Sequence, residues 1–88
     1  MAVNRVATVL DPLRTLTTNL RNRRAELGLS QEAVAGEASM DQSQYSRIER
    51  GEVDPGIRVL TRIARALQVT PQELLLGVNR EFQLGGGR

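Results

Sequence analysis

The sequence predicts an all-α fold of five short helices, and three observations carry that reading. Apolar residues recur at helical spacing through most of the chain. Helix starts at Asp11-Pro12, Ser30, Asp41 and Thr70-Pro71 alternate with stops at Gly28 and Gly51. The chain has 88 residues, enough for one domain that buries about 60% of its unfolded surface, so the core must be small.

Residues 1–11 read as an extension. Val3, Val6, Val9 and Leu10 are weakly patterned, fitting either a frayed end or a short extra helix. Asp11 then offers an N-cap, with Pro12 at the first helical position. Leu13, Leu16, Leu20 and Leu27 follow near helical period, with Arg24 standing on the same stripe, and Gly28 ends the helix. Ser30 caps a second helix over 31–38, with Val34 and Ala35 facing inward. Gly36 weakens it by about 1 kcal/mol relative to Ala. A break at Ser39-Met40 leads to Asp41, read as the cap of a third helix over 42–50.

That third helix carries the chemistry. Its apolar pair, Tyr45 and Ile48, is spaced i,i+3, and its opposite face shows Gln42, Ser43, Ser46 and Arg47. Gly51 stops it. The loop Glu52-Val53-Asp54-Pro55 leads to a fourth helix over 56–67, with a stripe of Ile57, Leu60, Ile63, Ala64 and Leu67. Thr70-Pro71 caps a fifth helix ending near Leu76. The domain is thus expected over 12–76, with a tail over 77–88 that turns Gly-rich, and is expected to be disordered, from Gly85.

Composition excludes much. There is no Cys and no His, which removes thiolate metal sites, imidazole bases and the Ser-His dyad. The carboxylates are scattered without catalytic spacing, so neither an enzyme nor a metal, cofactor or small-molecule site is expected. No apolar stretch approaches 18 residues and no signal-peptide core is visible, which reads as a soluble, cytoplasmic protein. The net charge is only +2, but residues 1–30 carry five Arg against two acids, residues 31–60 three against six, and residues 61–88 four against two. This asymmetry suggests a local basic patch. All twelve cations are Arg, suited to bidentate contact with phosphate or guanine, although a GC-rich coding sequence explains that bias at least as well.

Two short helices joined by a tight turn make a helix-turn-helix, whose second helix fits a DNA major groove. Gln, Ser and Arg are side chains that bond base edges there.

The full string adds a resemblance. Leu29-Ser30-Gln31-Glu32, Ala35, the run Ser46-Arg47-Ile48-Glu49-Arg50-Gly51, Pro55, and Leu60 with Ile63, Ala64, Ala66 and Leu67 resemble the lambda-repressor-like group, also called XRE or Cro-type. The resemblance covers roughly residues 20–75. It implies a five-helix lambda-repressor-like domain, bacterial or phage-encoded, that binds double-stranded DNA at a palindromic operator as a homodimer and regulates transcription. Base readout falls on Gln42, Ser43 and Arg47, with Gln44 and Ser46 at the edge. Gln31 is placed on a phosphate, bracing the first base-reading Gln. Arg21, Arg23, Arg50 and Arg58 are candidate phosphate contacts. The resemblance pairs Arg24 with Glu49 as a structural ion pair, with Arg24 able to extend toward a phosphate.

A single reading head touches few bases, so a two-fold partner is expected. Leu74, Leu75 and Leu76 cannot all face inward. With Val78, Phe82 and Leu84 they form the expected dimer surface, the N-terminal valines being the competing one. Three departures from the family pattern stand out: Ser39 where a turn Gly is usual, Gly36 inside helix two, and Tyr45 in a slot usually held by Ile or Val, with a hydroxyl that needs a partner.

Phage-type repressors, restriction-modification controllers and DNA-binding antitoxins all match this size. A rival from another class is a coactivator module of the multiprotein-bridging type, which uses the same fold for protein contacts and should lack the Gln-Ser-Arg face.

Overall fold

The computed structural model describes residues 12–78. The N-terminal valines, Asp11, Phe82, Leu84 and the Gly-rich end lie outside the described residues. Within them the chain forms five helices and no strand: α1 (Pro12–Leu27), α2 (Gln31–Glu37), α3 (Gln42–Glu49), α4 (Ile57–Ala66) and α5 (Pro71–Leu74). Each falls where the caps and stripes place it, to within two residues at the ends.

Local chemistry explains the ends. Ser30 is extended, and its hydroxyl accepts from the Ala33 amide at 3.0 Å. Thr70 does the same for the Glu73 amide at 3.2 Å, with Pro71 behind it. Asp41 departs from expectation: it has the extended backbone of an N-cap but makes no side-chain cap hydrogen bond. Its carboxylate stays exposed at the start of α3.

The first four helices close with one motif. The residue after the C-cap turns left-handed, and two amides return to carbonyls of the last turn. In α3, Gly51 (φ +76°) donates to the Ile48 carbonyl, and Glu52 donates to that of Arg47, each at 3.0 Å. In α2 the left-handed residue is Ser39 (φ 58°), with bonds from Ser39 to Gly36 and from Met40 to Ala35. The turn thus keeps its shape and absorbs the strain of a Cβ at that φ. Gln68 (φ 61°) plays the same part after α4, and nothing in its residue type announced it.

The core is formed by Leu16 and Leu20 of α1, Val34 and Ala35 of α2, Tyr45 and Ile48 of α3, and Leu60, Ile63 and Ala64 of α4, with Ala38, Ala66, Leu67 and Leu74. Helix α2 packs on α3 and α4, α1 on α3 and α5, and α4 on α5. Leu20, Tyr45 and Ile63 are fully buried. Truncating such a residue to Ala typically costs about 2–5 kcal/mol.

Two apolar expectations need correction. Helical period puts Ile57 on the inward stripe of the fourth helix, but it is 68% exposed, because it occupies the first turn, where no neighbouring helix covers it. The run of three leucines puts Leu74 on the expected dimer surface, yet it is 2% exposed and closes the core between α1, α4 and α5. Asn19 fixes that corner by donating to the carbonyls of Leu74 (2.8 Å) and Leu76 (2.9 Å). Arg62 ties α4 to the end of α2 through the Ala38 carbonyl at 2.9 Å.

Candidate nucleic-acid interface

Helix α3 has a buried face and a solvent face. Tyr45, Ile48 and Glu49 are buried, while Gln42, Ser43, Gln44 and Arg47 are exposed and Ser46 is half-buried. Gln42, Ser43, Ser46, Arg47 and Arg50 line one shallow open groove. The buried Tyr45 and Ile48 pin α3 by its back, so Gln42, Ser43, Gln44 and Arg47 project into solvent, and side chains of these types can bond a base edge.

The tilt of that helix is held from beneath by Glu49. Its carboxylate accepts four hydrogen bonds: Arg24 Nε (2.6 Å) and Tyr45 Oη (2.6 Å) on Oε2, and Arg24 Nη2 (3.1 Å) and Gln31 Nε2 (2.9 Å) on Oε1. That satisfies the carboxylate's acceptor capacity. Burial alone would push the Glu49 carboxyl up; the bonds from Arg24, Tyr45 and Gln31 together outweigh it and hold the group below the ordinary carboxylate range. Burial, and then the bond to Glu49, raise the Tyr45 phenol. The hydrogen bonds it donates to Glu49 raise the Arg24 guanidinium.

Arg24 uses all three guanidinium nitrogens inside the fold, the third donating to the Leu29 carbonyl at 3.0 Å. One buried carboxylate therefore ties α1, the start of α2 and α3 together. Gln31 is turned inward onto Glu49.

The remaining arginines separate by position. Arg21 donates to the Glu49 carbonyl at 2.9 Å, which sets its side chain beside the end of α3. Arg50 donates to Ser46 Oγ at 2.7 Å and forks onto Glu52 at 2.7 and 3.2 Å. Arg47 Nε lies 3.9 Å from the same carboxylate. Arg58 is exposed in the first turn of α4. Arg23 points elsewhere: it donates to the Leu67 carbonyl at 2.9 Å and to Glu26 at 3.1 Å, bracing α1 against the end of α4.

Sequence reasoning missed the hub role of Tyr45 and the position of Glu52. The second was legible. A Gly stop returns the next residue to the carbonyl five positions back, so Glu52 must fall beside Arg47.

Among the described residues, no group of His, Cys, Asp or Glu could hold a metal ion, and no helix is long and apolar enough to cross a membrane.

The pattern of the helix-turn-helix family matches residues 20–74, more than half the chain and all of the arrangement around α2 and α3. The chain belongs to the helix-turn-helix family. It is 33% identical over 66 residues to y4dJ of Sinorhizobium fredii, an uncharacterised HTH-type transcriptional regulator, a match covering 75% of this chain and 86% of that protein. Other curated relatives are longer: the match spans 28% of y4dL, from the same organism, and 49% of DdrOP3 of Deinococcus deserti, both HTH-type transcriptional regulators.

Among solved helix-turn-helix structures, the restriction-modification controller protein C.AhdI of Aeromonas hydrophila superposes with a TM-score of 0.68 at 34% identity, over 70% of this chain and 94% of that one. The hypothetical transcription factor NHTF from Neisseria gives 0.75 at 29% identity, over 86% and 87%. The all-helical, lambda-repressor-like architecture is common to this helix-turn-helix chain and its neighbours.

Proposed function

We propose that this helix-turn-helix protein is a sequence-specific regulator of transcription that binds a palindromic operator as a homodimer, with α3 in the major groove. The observation that carries the reading is the groove-lining set Gln42, Ser43, Ser46, Arg47 and Arg50 on the solvent face of a helix whose back is locked into the core. Gln42 and Arg47 supply the side chains suited to adenine and guanine edges, Ser43 is adaptable, and Gln44 and Ser46 stand at the margin. Arg50, Arg58 and Arg21 flank them as phosphate contacts.

Gln31 has a second task beside its phosphate contact. Its amide braces Glu49, and so the tilt of α3. Arg24 acts in the same way, and Arg23 lies on the α4 side as a structural brace.

The two-fold contact falls on Leu75 (38% exposed) and Leu76 (67% exposed), continued by half-buried Val78 and, beyond the described residues, by Phe82. Leu74 supports this contact only from within the core. Within the class, a controller-type regulator is the reading that the likeness to C.AhdI supports best.

Selection of bound duplexes from a random library, followed by footprinting at two salt concentrations, tests this function. A symmetric protected site with half-sites about one turn apart and a strong salt slope supports it. A protein that enriches no sequence is a protein-contact module instead.

A further inference from the structure

Glu52 is an acidic residue set against two arginines of the reading surface, and its place is built in. The Gly51 turn and the bond from the Glu52 amide to the Arg47 carbonyl return the chain against the last turn of α3. There its carboxylate takes a two-point fork from Arg50, Nε to Oε2 at 2.7 Å and Nη2 to Oε1 at 3.2 Å. Arg47 Nε stands 3.9 Å from Oε1. The third Arg50 nitrogen is oriented by Ser46 Oγ at 2.7 Å. All three charged side chains are at least half exposed, so solvent screens the pairs and they contribute little to folding stability. Their geometry is nevertheless that of an arginine gripping a phosphate: a planar fork on two oxygens of one anion.

We propose that Glu52 is an internal stand-in for a DNA phosphate, which occupies Arg50, and partly Arg47, in the free protein and must be displaced when the duplex arrives. The proposal rests on the DNA-binding reading above.

The displacement sets how strongly binding depends on salt. A phosphate that meets a free guanidinium releases about one condensed cation from the DNA. A phosphate that displaces Glu52 releases the same cation but leaves a bare carboxylate that attracts one back. Arg50 then adds almost nothing to the salt slope or to binding of arbitrary sequence. Glu52 thereby restrains the charge-driven, sequence-blind part of binding and leaves base contacts to decide where the protein stays.

The test is a titration of a labelled random-sequence duplex between about 50 and 200 mM salt. Wild type, Glu52→Gln, Arg50→Gln and the double variant are compared, with circular dichroism of each and Glu52→Ala as a second removal of the carboxylate. Glu52→Gln is expected to bind several-fold tighter at low salt, with a slope of log K against log salt steeper by about 0.9. In the Arg50→Gln background the same change should shift the slope less than half as much. Unchanged affinity and slope in both folded Glu52 variants overturn the proposal. A shift of equal size with and without Arg50 also overturns it, making Glu52 a distant negative charge. A wild-type protein with no salt-dependent affinity for duplex DNA overturns the DNA-binding reading itself, and this proposal with it.

Discussion

The Tyr45 hydroxyl donates to Glu49 Oε2 at 2.6 Å, one turn along α3, and both side chains are buried. This bond turns an unusual residue choice into part of the anchor of the reading helix. A hydrogen bond to a charged group contributes about 1.5–3 kcal/mol, and its loss inside the core leaves a lone pair of Glu49 unsatisfied. Tyr45→Phe should therefore lower stability by about that amount in urea melts, with the helical content kept. A loss near zero would show that water replaces the hydroxyl.

Acid should weaken the same anchor. The folded Glu49 carboxyl lies below its ordinary range, so its contribution is complete above the unfolded value of about 4.3 and is lost as pH falls through the lower folded value. Urea midpoints measured from neutral pH down to about pH 3 should fall steeply across that window in wild type. Glu49→Gln removes the titrating group and should give a lower but flatter profile. Equal slopes would assign acid sensitivity to other carboxylates.

Gly36 offers a stabilising change. It lies inside α2, is exposed, and a Cβ built there meets nothing within 4 Å. Gly36→Ala should raise stability by about 1 kcal/mol through helix propensity. A thermal melt checks it, and a drop would reveal a need for glycine that the backbone does not show.

Arg47 separates reading from adhesion. It is exposed on the groove-lining face of α3. Arg47→Ala should weaken binding to the selected operator by about 1–3 kcal/mol and relax choice at one base position, with a much smaller effect on random duplex. Equal loss on both DNAs, read by competition titration, would make Arg47 a phosphate contact.

Leu76 tests the two-fold contact. At 67% exposure its side chain does little for the core, so Leu76→Asp should leave the fold intact. Sedimentation at micromolar concentration should then show a dimer in wild type and a monomer in the variant, with weaker operator binding. A dimer that survives Leu76→Asp but not Val6→Asp would move the interface to the N-terminal extension.

What the sequence determined by itself was local. Ser30, Thr70, Pro71, Gly28 and Gly51 place helix ends because caps and left-handed stops are made by bonds between residues within about five positions of each other. The polar face of α3 was equally legible, since helical period alone puts Gln42, Ser43 and Arg47 opposite Tyr45 and Ile48. The pairing of Arg24 with Glu49 came only through the family resemblance, because no local rule links residues on different helices.

Tertiary structure decided the rest. Period names the apolar side of a helix but not how far the neighbouring helices cover it, so Ile57 stays outside while Leu74 goes in. It also cannot say which distant acceptor a long polar side chain will reach. Gln31 and Tyr45 converge on Glu49, and Arg23 turns to the Leu67 carbonyl, because three-dimensional packing sets those groups within 3 Å of each other, and a buried carboxylate such as Glu49 must find its partners inside the fold.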